Sequence, residues 1–145
     1  MRSLGLDLGD KRIGVALSDP LGILASPLLI FEHTYDQTDI TTILNLIKKY
    51  SVECIIVGLP QSMNGTTGPQ AEKVQAFTQK LMDKTTIPVL LRDERLTTIT
   101  AKNLHDEIGK KKANKKRRIE YDSMAAAVIL QSFLNETKPI EFPAE

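Results

Sequence analysis

Three carboxylates stand in positions that suit a metal site. Asp7 lies within an apolar, strand-like run, where an unpaired carboxylate is costly. Glu94 closely follows a second apolar run, and Asp122 opens a third. Carboxylates gathered at one end of a sheet repel one another and need cations to stay ionised together. Ligand sets made only of oxygen suit Mg²⁺ or Mn²⁺, which commonly act on phosphate esters. We therefore predict a divalent-metal site at Asp7, Glu94 and Asp122.

Each carboxylate has an ordinary explanation when it is considered alone. Asp7 fits a structural aspartate in a hairpin, Asp122 fits a helix cap, and Glu94 fits a surface residue on a loop. The prediction therefore depends on all three together. Two metal ions held by such a set would activate a water molecule and stabilise the leaving oxygen of a phosphodiester.

This chemistry requires no histidine or cysteine nucleophile. We expect His33 and His105 to be ordinary surface residues, and Asp10 to be a turn residue. Arg12 has two equally good explanations, because its side chain suits both the orientation of a phosphate and the anchoring of a strand.

The positive charge of the chain is concentrated in one segment. The net charge is only +1, from 19 basic and 18 acidic residues. Seven of the basic residues form a run without any acidic residue: Lys110, Lys111, Lys112, Lys115, Lys116, Arg117 and Arg118. A solvated loop or a frayed helix end would explain such a run by itself. Because the rest of the chain is acidic, a polyanion partner explains it better. The segment holds no aromatic residue, which predicts contacts to phosphates rather than stacking on bases.

Length and composition exclude several classes of protein. A chain of 145 residues predicts one domain with a real core, without the second lobe of a two-lobed enzyme. We see neither a run of 18 apolar residues nor a charged-then-apolar leader, so we expect no membrane span and no signal peptide. The single cysteine, Cys54, is expected to be a buried thiol. These features favour a cytoplasmic protein.

The first part of the chain predicts antiparallel strands. Two β-rich runs, Ser3–Leu8 and Arg12–Ser18, are separated by a short turn and predict a hairpin. Residues 26–31 predict a third strand, and Pro27 would either place it at an edge of the sheet or move its start later in the chain.

The rest of the chain alternates helices with strands. Ile40, Ile43, Leu44 and Ile47 have helical spacing, with Thr38 or Asp39 available as the cap. The further predicted elements are a strand at 54–58, a helix from Pro69 with the inner stripe Val74, Phe77 and Leu81, a strand at 89–91, a helix at 97–109 and a final helix at about 119–134. Together they predict an α/β fold, a mixed sheet flanked by helices. Asp122 would lie in the opening turn of the final helix, where the helix dipole keeps it ionised.

Four blocks of sequence carry a resemblance to a known family. They are GLDLGDKRIGVA at 5–16, VGLP at 57–60 with Gly65 and Gly68, DERLTT at 93–98, and Asp122 with Ala125 and Ala126. In this order and spacing they resemble the YqgF family, the Holliday-junction-resolvase-like proteins of the ribonuclease H superfamily. The resemblance runs from about residue 4 to residue 134.

This resemblance implies a fold, a site and a role. The fold would be a ribonuclease H-like mixed five-stranded sheet, with three antiparallel strands followed by parallel ones. We expect a single domain at 1–138, and Pro139 and Pro143 predict a loosely ordered tail at 139–145. Asp7, Glu94 and Asp122 would form a Mg²⁺- or Mn²⁺-dependent nuclease site. The role would be 5′-end maturation of bacterial pre-16S ribosomal RNA.

Other functions remain open at this stage. An older assignment for the family is the resolution of branched DNA junctions. A phosphotransferase of the actin and sugar-kinase type also carries an aspartate in its first hairpin, but it needs a second lobe. A non-catalytic nucleic-acid-binding module would be expected to lack one of the carboxylates, and here all are present. The choice between monomer and homodimer is likewise open.

Overall fold

The structure is a computed structural model that describes residues 1–60, 68–93 and 115–137, with side chains described at 123–136 of the last range. Its elements are β1 (Ser3–Leu8), β2 (Arg12–Ser18), β3 (Ala25–Glu32), α1 (Gln37–Tyr50), β4 (Cys54–Leu59), α2 (Pro69–Met82), β5 (Val89–Asp93) and α3 (Lys115–Thr137). Glu94, the helix predicted at 97–109 and the tail predicted at 139–145 lie outside the described residues.

The five strands form one mixed sheet in the order β3-β2-β1-β4-β5. The β1–β2 and β2–β3 pairs are antiparallel, whereas β1–β4 and β4–β5 are parallel. This confirms the predicted sheet, including the edge position of β3, where Pro27 lies. Since β1, β4 and β5 run in the same direction, their carboxyl ends meet at one edge of the sheet.

A tight turn sets the register of the first hairpin. The Gly9 amide donates a hydrogen bond to the Arg12 carbonyl oxygen over 2.9 Å. A Cβ atom at Gly9 would lie only 2.8 Å from that oxygen, so the turn requires glycine. The turn places Asp7 opposite Gly14 in the sheet.

The two faces of the sheet pack against different helices. On one face, Leu4, Leu6 and Leu8 of β1 join a buried cluster that includes Ile43 of α1 and Val74 of α2. On the other face, Ala16, Cys54 and Ile56 pack with Ala126, Ile129, Leu130 and Leu134 of α3. Burial of Cys54 confirms the predicted core thiol, and it raises the pKa of that thiol.

Two predictions at helix starts are wrong. The N-cap of α1 is Asp36, whose side chain accepts a hydrogen bond from the Thr38 amide, rather than Thr38 or Asp39. The final helix begins at Lys115 rather than near residue 119, so Lys115, Lys116, Arg117 and Arg118 belong to the helix. Asp122 is consequently more than one turn inside α3, beyond the range over which the helix dipole acts.

None of the helices that the structure describes is long and apolar enough to cross a membrane.

Candidate active site

Asp7 lies near the carboxyl end of β1, partly buried, on a strand with a neighbour on each side. Side chains alternate between the faces of a sheet, so Asp7 lies on the same face as Gly5, two residues earlier. That face is the one covered by α3, because the nearest atoms to a Cβ built at Gly5 belong to this helix. Asp7 therefore lies on the α3 face of the sheet.

The backbone of α3 approaches β1 very closely at Gly5. A Cβ atom at Gly5 would lie 2.8 Å from the Cβ atom of Leu130 and 3.0 Å from the carbonyl oxygen of Ala126. Only a residue without a side chain permits this contact. Gly5 thus fixes the point at which α3 crosses β1, between Ala126 and Leu130.

Contacts of Gln131 establish the direction of α3 along the strand. Gln131 Nε2 donates to the Ile23 carbonyl oxygen over 2.9 Å, and its Oε1 accepts from the Ala25 amide over 2.8 Å. Ala25 is opposite Ser18, which in turn accepts a hydrogen bond from the Ser3 amide at the start of β1. The later part of α3 therefore lies at the start of β1, and the earlier part lies toward its carboxyl end.

This direction brings position 122 close to Asp7. One helical turn separates position 122 from Ala126, a rise of about 6 Å, and two strand residues separate Gly5 from Asp7, about 6.6 Å. Both steps lead from the same contact toward the same edge of the sheet. Asp122 is thus placed by its backbone at the end of the sheet where Asp7 lies.

The end of β5, immediately before Glu94, is held against α3 by Arg92. Its guanidinium donates to Glu136 over 2.6 and 2.7 Å and to Ser132 Oγ over 2.7 and 3.1 Å. The hydrogen bond from Arg92 holds the pKa of Glu136 below its ordinary value. Asp93 ends β5 opposite Leu59, so β5 ends at the edge that carries Asp7, and Glu94 is the next residue in the sequence. Sequence reasoning missed Arg92, because nothing in the sequence indicates its partners in α3.

The predicted nucleic-acid-binding residues divide into three groups. Arg12 is partly buried and begins β2 at the same edge as Asp7. Lys115, Lys116, Arg117 and Arg118 form the start of α3, and Lys110, Lys111 and Lys112 lie outside the described residues.

The structure therefore brings Asp7, Arg12 and position 122 to one edge and leaves the full carboxylate set as a prediction. Among the side chains described, no three His, Cys, Asp or Glu residues lie close enough together to hold a metal ion. Glu94 and the side chain of Asp122 are not among those side chains.

His33 is not the surface residue that the sequence predicts. Its side chain is only 9% exposed, and its Nδ1 lies 2.6 Å from Oδ2 of Asp39, which is itself 1% exposed. The sequence feature that could have indicated this pair is Asp39, which lies four residues before Ile43 and therefore on the apolar face of α1.

The fold resembles those of known junction resolvases. The Holliday junction resolvase of fowlpox virus matches with a TM-score of 0.54 and 13% identity, covering 94% of this chain and 99% of that one. RuvC of Thermus thermophilus, solved with a Holliday junction substrate, matches with a TM-score of 0.53 and 14% identity, over 95% and 96% of the two chains. The protein is thus of the ribonuclease H-like α/β class.

Sequence comparison identifies the family. The model of the RuvX family, described as Holliday junction resolvase, matches residues 1–136. A protein of Desulforamulus reducens is 46% identical over 93% of this chain and 97% of its own, and one of Caldanaerobacter subterraneus is 46% identical over 95% and 99%. Both carry the name "Putative pre-16S rRNA nuclease". The chain belongs to the RuvX family, also called YqgF, as its sequence motifs predict.

Proposed function

We propose that this protein is a divalent-metal-dependent nuclease that matures the 5′ end of pre-16S ribosomal RNA in the cytoplasm by hydrolysing phosphodiester bonds. The names of the full-length relatives support the substrate, and the family supports the reaction. The observation that carries the proposal is the packing of α3 on Gly5, because it sets Asp7 and position 122 at the same edge of the sheet.

The three predicted carboxylates fit Mg²⁺ or Mn²⁺. Asp7 on β1, Asp122 on α3 and Glu94 after β5 would supply only carboxylate oxygens, the donors that these ions prefer. When bound, the ion lowers the pKa of a water molecule and offsets negative charge on the leaving oxygen. No protein side chain is needed as the nucleophile.

The protein's own contribution is to hold these carboxylates in place before the substrate arrives. Asp7 is on a strand with neighbours on both sides, and Arg92 ties the end of β5 to α3. Rigid elements keep ligands in their productive geometry, which reduces the reorganisation needed during the reaction. Arg12 at the same edge is suited to bind a phosphate of the RNA.

Cleavage of a precursor RNA by the purified protein tests the proposal. We expect an RNA spanning the 5′ end of 16S rRNA and its leader to be cut with Mg²⁺ or Mn²⁺ and to stay intact with EDTA. Cleavage that persists in EDTA, or an RNA that stays intact with either ion, would contradict the proposal.

Resolution of a four-way DNA junction is the second candidate, because the family description names it. That reaction needs two active sites held symmetrically on the junction, whereas trimming an RNA end needs only one. Symmetric paired cuts in a four-way junction, made by a dimeric form of the protein, would favour this candidate. Cleavage of the RNA by a monomer would favour the first.

A further inference from the structure

A cavity of about 700 Å³ opens between α1 and α2, on the face of the sheet opposite α3. Ile40 and Leu44 of α1 and Phe77 of α2 contribute apolar surface to its lining. His33 and Tyr35 line it from the segment between β3 and α1. The cavity therefore combines an apolar lining with the rings of His33 and Tyr35, and the site proposed above does not use it.

Tyr35 is a fixed and accessible aromatic ring. It stacks on His33 with ring centroids 3.8 Å apart and an interplanar angle of 10°, and its hydroxyl donates to the Asp10 carbonyl oxygen. Its backbone has a φ angle of 60°, in the left-handed region. This conformation costs free energy in any residue that has a side chain. The residue nevertheless remains 58% exposed. Its ring is therefore held in place without being covered.

Asp39 fixes His33, whose ring stacks on that of Tyr35. Burial by itself raises the pKa of Asp39, but hydrogen bonds from Thr34, His33 and Tyr35 outweigh burial and keep the pKa below its ordinary value. Asp39 accepts from the Thr34 and Tyr35 amides, each over 3.0 Å, as well as from His33. The ionised carboxylate thus fixes both the backbone at Tyr35 and the ring on which Tyr35 stacks.

The cavity is also lined by lysines that form no ion pair with any described residue. Lys73 and Lys80 of α2 line it two helical turns apart, on one side of the helix, and Lys84 lies beyond the helix end. Within the described part of the chain, none of the three lysines forms an ion pair.

The acidic residues that line the cavity are already engaged. Asp36 caps α1, Asp39 binds His33, and Asp83 accepts a hydrogen bond from Gln79. The three lysines therefore suit an anionic ligand, and the rings suit a planar one. A nucleotide has both properties, because bases of any sequence stack on aromatic rings while phosphates bind lysines.

A second, much smaller cavity lies beside the first, at the turn that follows β1. It is lined by Leu8, Gly9 and Lys73 together with His33 and Tyr35, and it shares Lys73, His33 and Tyr35 with the larger cavity. Gly9 is two residues beyond Asp7, and Asp10 next to it binds the Tyr35 hydroxyl. A strand that leaves Asp7 on the α3 face and passes around this turn therefore reaches Tyr35 on the opposite face of the sheet.

We propose that this cavity binds an unpaired nucleotide of the RNA substrate, with its base stacked on Tyr35 and its neighbouring phosphates close to Lys73 and Lys80. The identity of the strand rests on the proposed nuclease function. The site would position single-stranded RNA next to the carboxylates, and it complements the aromatic-free basic segment at 110–118, which is suited only to phosphates.

A tryptophan at position 35 reports on the stack directly. The natural chain contains no tryptophan, so Tyr35→Trp introduces the only indole. We expect a short single-stranded RNA, added in EDTA, to quench its fluorescence with the same Kd as that measured by anisotropy of a labelled copy. RNA that binds by anisotropy without quenching would overturn the proposal. Quenching by AMP but not by RNA would also overturn it, because the ligand would then be a free nucleotide.

Matched variants separate stacking from general attraction. Tyr35→Leu should weaken RNA binding by about fivefold or more, the loss expected for one stacked base, while Tyr35→Phe should bind nearly as the natural protein does. Lys73→Gln with Lys80→Gln should weaken binding more than Lys48→Gln with Lys49→Gln, an equal charge change at the end of α1 outside the cavity. Equal effects of the two lysine pairs, or a Tyr35→Leu variant that folds normally and binds normally, would contradict the site.

These binding measurements are independent of cleavage. If RNA quenches the tryptophan fluorescence but neither substrate is cut, the nucleotide site is supported and the nuclease proposal is contradicted. If the precursor RNA is cut but does not quench the fluorescence, the nuclease proposal is supported and the nucleotide site is contradicted.

Discussion

Asp7 is the residue on which the proposed chemistry most depends. We expect Asp7→Asn to lower metal-dependent cleavage by more than about a hundredfold, because even the outer partners of metal ligands are worth 10- to 100-fold. The variant should melt at the same temperature as the natural protein or higher in EDTA, since the substitution removes a repelling charge. Cleavage rates and melting curves with and without Mg²⁺ measure both effects.

Asp10→Asn is the control for that substitution. Asp10 is exposed in the turn that follows, three residues from Asp7, so the same chemical change there should leave cleavage nearly unchanged. Wild-type cleavage by Asp7→Asn would exclude Asp7 as a ligand. An equal loss in both variants would indicate a general effect of charge at this edge.

Gly5 provides a second prediction at the scale of single residues. Gly5→Ala places a Cβ atom within 2.8 Å of Leu130, so α3 must shift, and overpacking of this kind costs about 1–3 kcal/mol. Because α3 carries Asp122, cleavage at a temperature where the variant is fully folded should fall as well. Denaturant unfolding and single-turnover cleavage measure the two effects.

The matched control for Gly5→Ala is Gly68→Ser. A Cβ atom at Gly68 meets nothing within 4 Å, and Gly68 occupies the N-cap of α2, where serine is favoured. This variant should be as stable as the natural protein or more so. Full activity in a destabilised Gly5→Ala variant would show that the contact serves stability alone.

At the scale of elements, Asp39 ties the start of α1 to the end of β3. Asp39→Asn should destabilise the fold by about 2–3 kcal/mol, because the amide cannot accept all the hydrogen bonds that the buried carboxylate accepts. Asp36→Asn, which keeps a good N-cap on the same helix, should change stability little. Equal losses in the two variants, measured by denaturant unfolding, would contradict the special role of Asp39.

The pKa of Asp39 also predicts how this stabilisation depends on pH. The folded-state pKa lies below the ordinary value of about 3.9, so the unfolded state takes up the proton first as pH falls. The contribution is thus complete above about pH 4 and is lost as pH falls below that value through the folded-state pKa. The difference in stability between the natural protein and Asp39→Asn should narrow over this range.

At the scale of the whole molecule, charge is divided between an acidic body and one basic segment. Neutralising Lys110, Lys111, Lys112, Lys115, Lys116, Arg117 and Arg118 should weaken RNA binding and flatten its salt dependence. For each phosphate that is no longer neutralised, the log–log slope should fall by about 0.7 with single-stranded RNA, or about 0.9 with a duplex. Turnover of saturating substrate should fall less, because such interactions act similarly on the ground and transition states. Binding titrations over a range of salt concentrations measure the slope.

The position of the segment adds a test of stability. Its last four residues begin α3, where positive charge opposes the helix dipole and no acidic residue lies in the first turn. The neutralised protein should therefore be at least as stable as the natural one. An unchanged salt slope would mean that the segment is only a solvated surface, and a loss confined to turnover would place one of its residues in the chemistry.

Local signals in the sequence are sufficient for most of the elements. The hairpin is predicted correctly because its β-rich runs and its glycine turn are neighbours in the chain, and Pro27 correctly indicates an edge strand. The start of α3 is predicted wrongly because lysine and arginine favour a helix but carry no apolar periodicity to reveal it. The cap of α1 is misplaced because several neighbouring residues are all suitable caps.

The sequence by itself determined which chemistry is to be expected, because three carboxylates and a basic segment predict metal ions and phosphates as partners. Only the tertiary structure decided which positions come together. Asp7 and position 122 share one edge because α3 crosses β1 at Gly5, and the aromatic cavity exists because Asp39 binds residues that precede α1. Such contacts join segments distant in the chain or at the ends of different elements, so no local pattern of residues carries them. Glu94 remains a prediction from sequence.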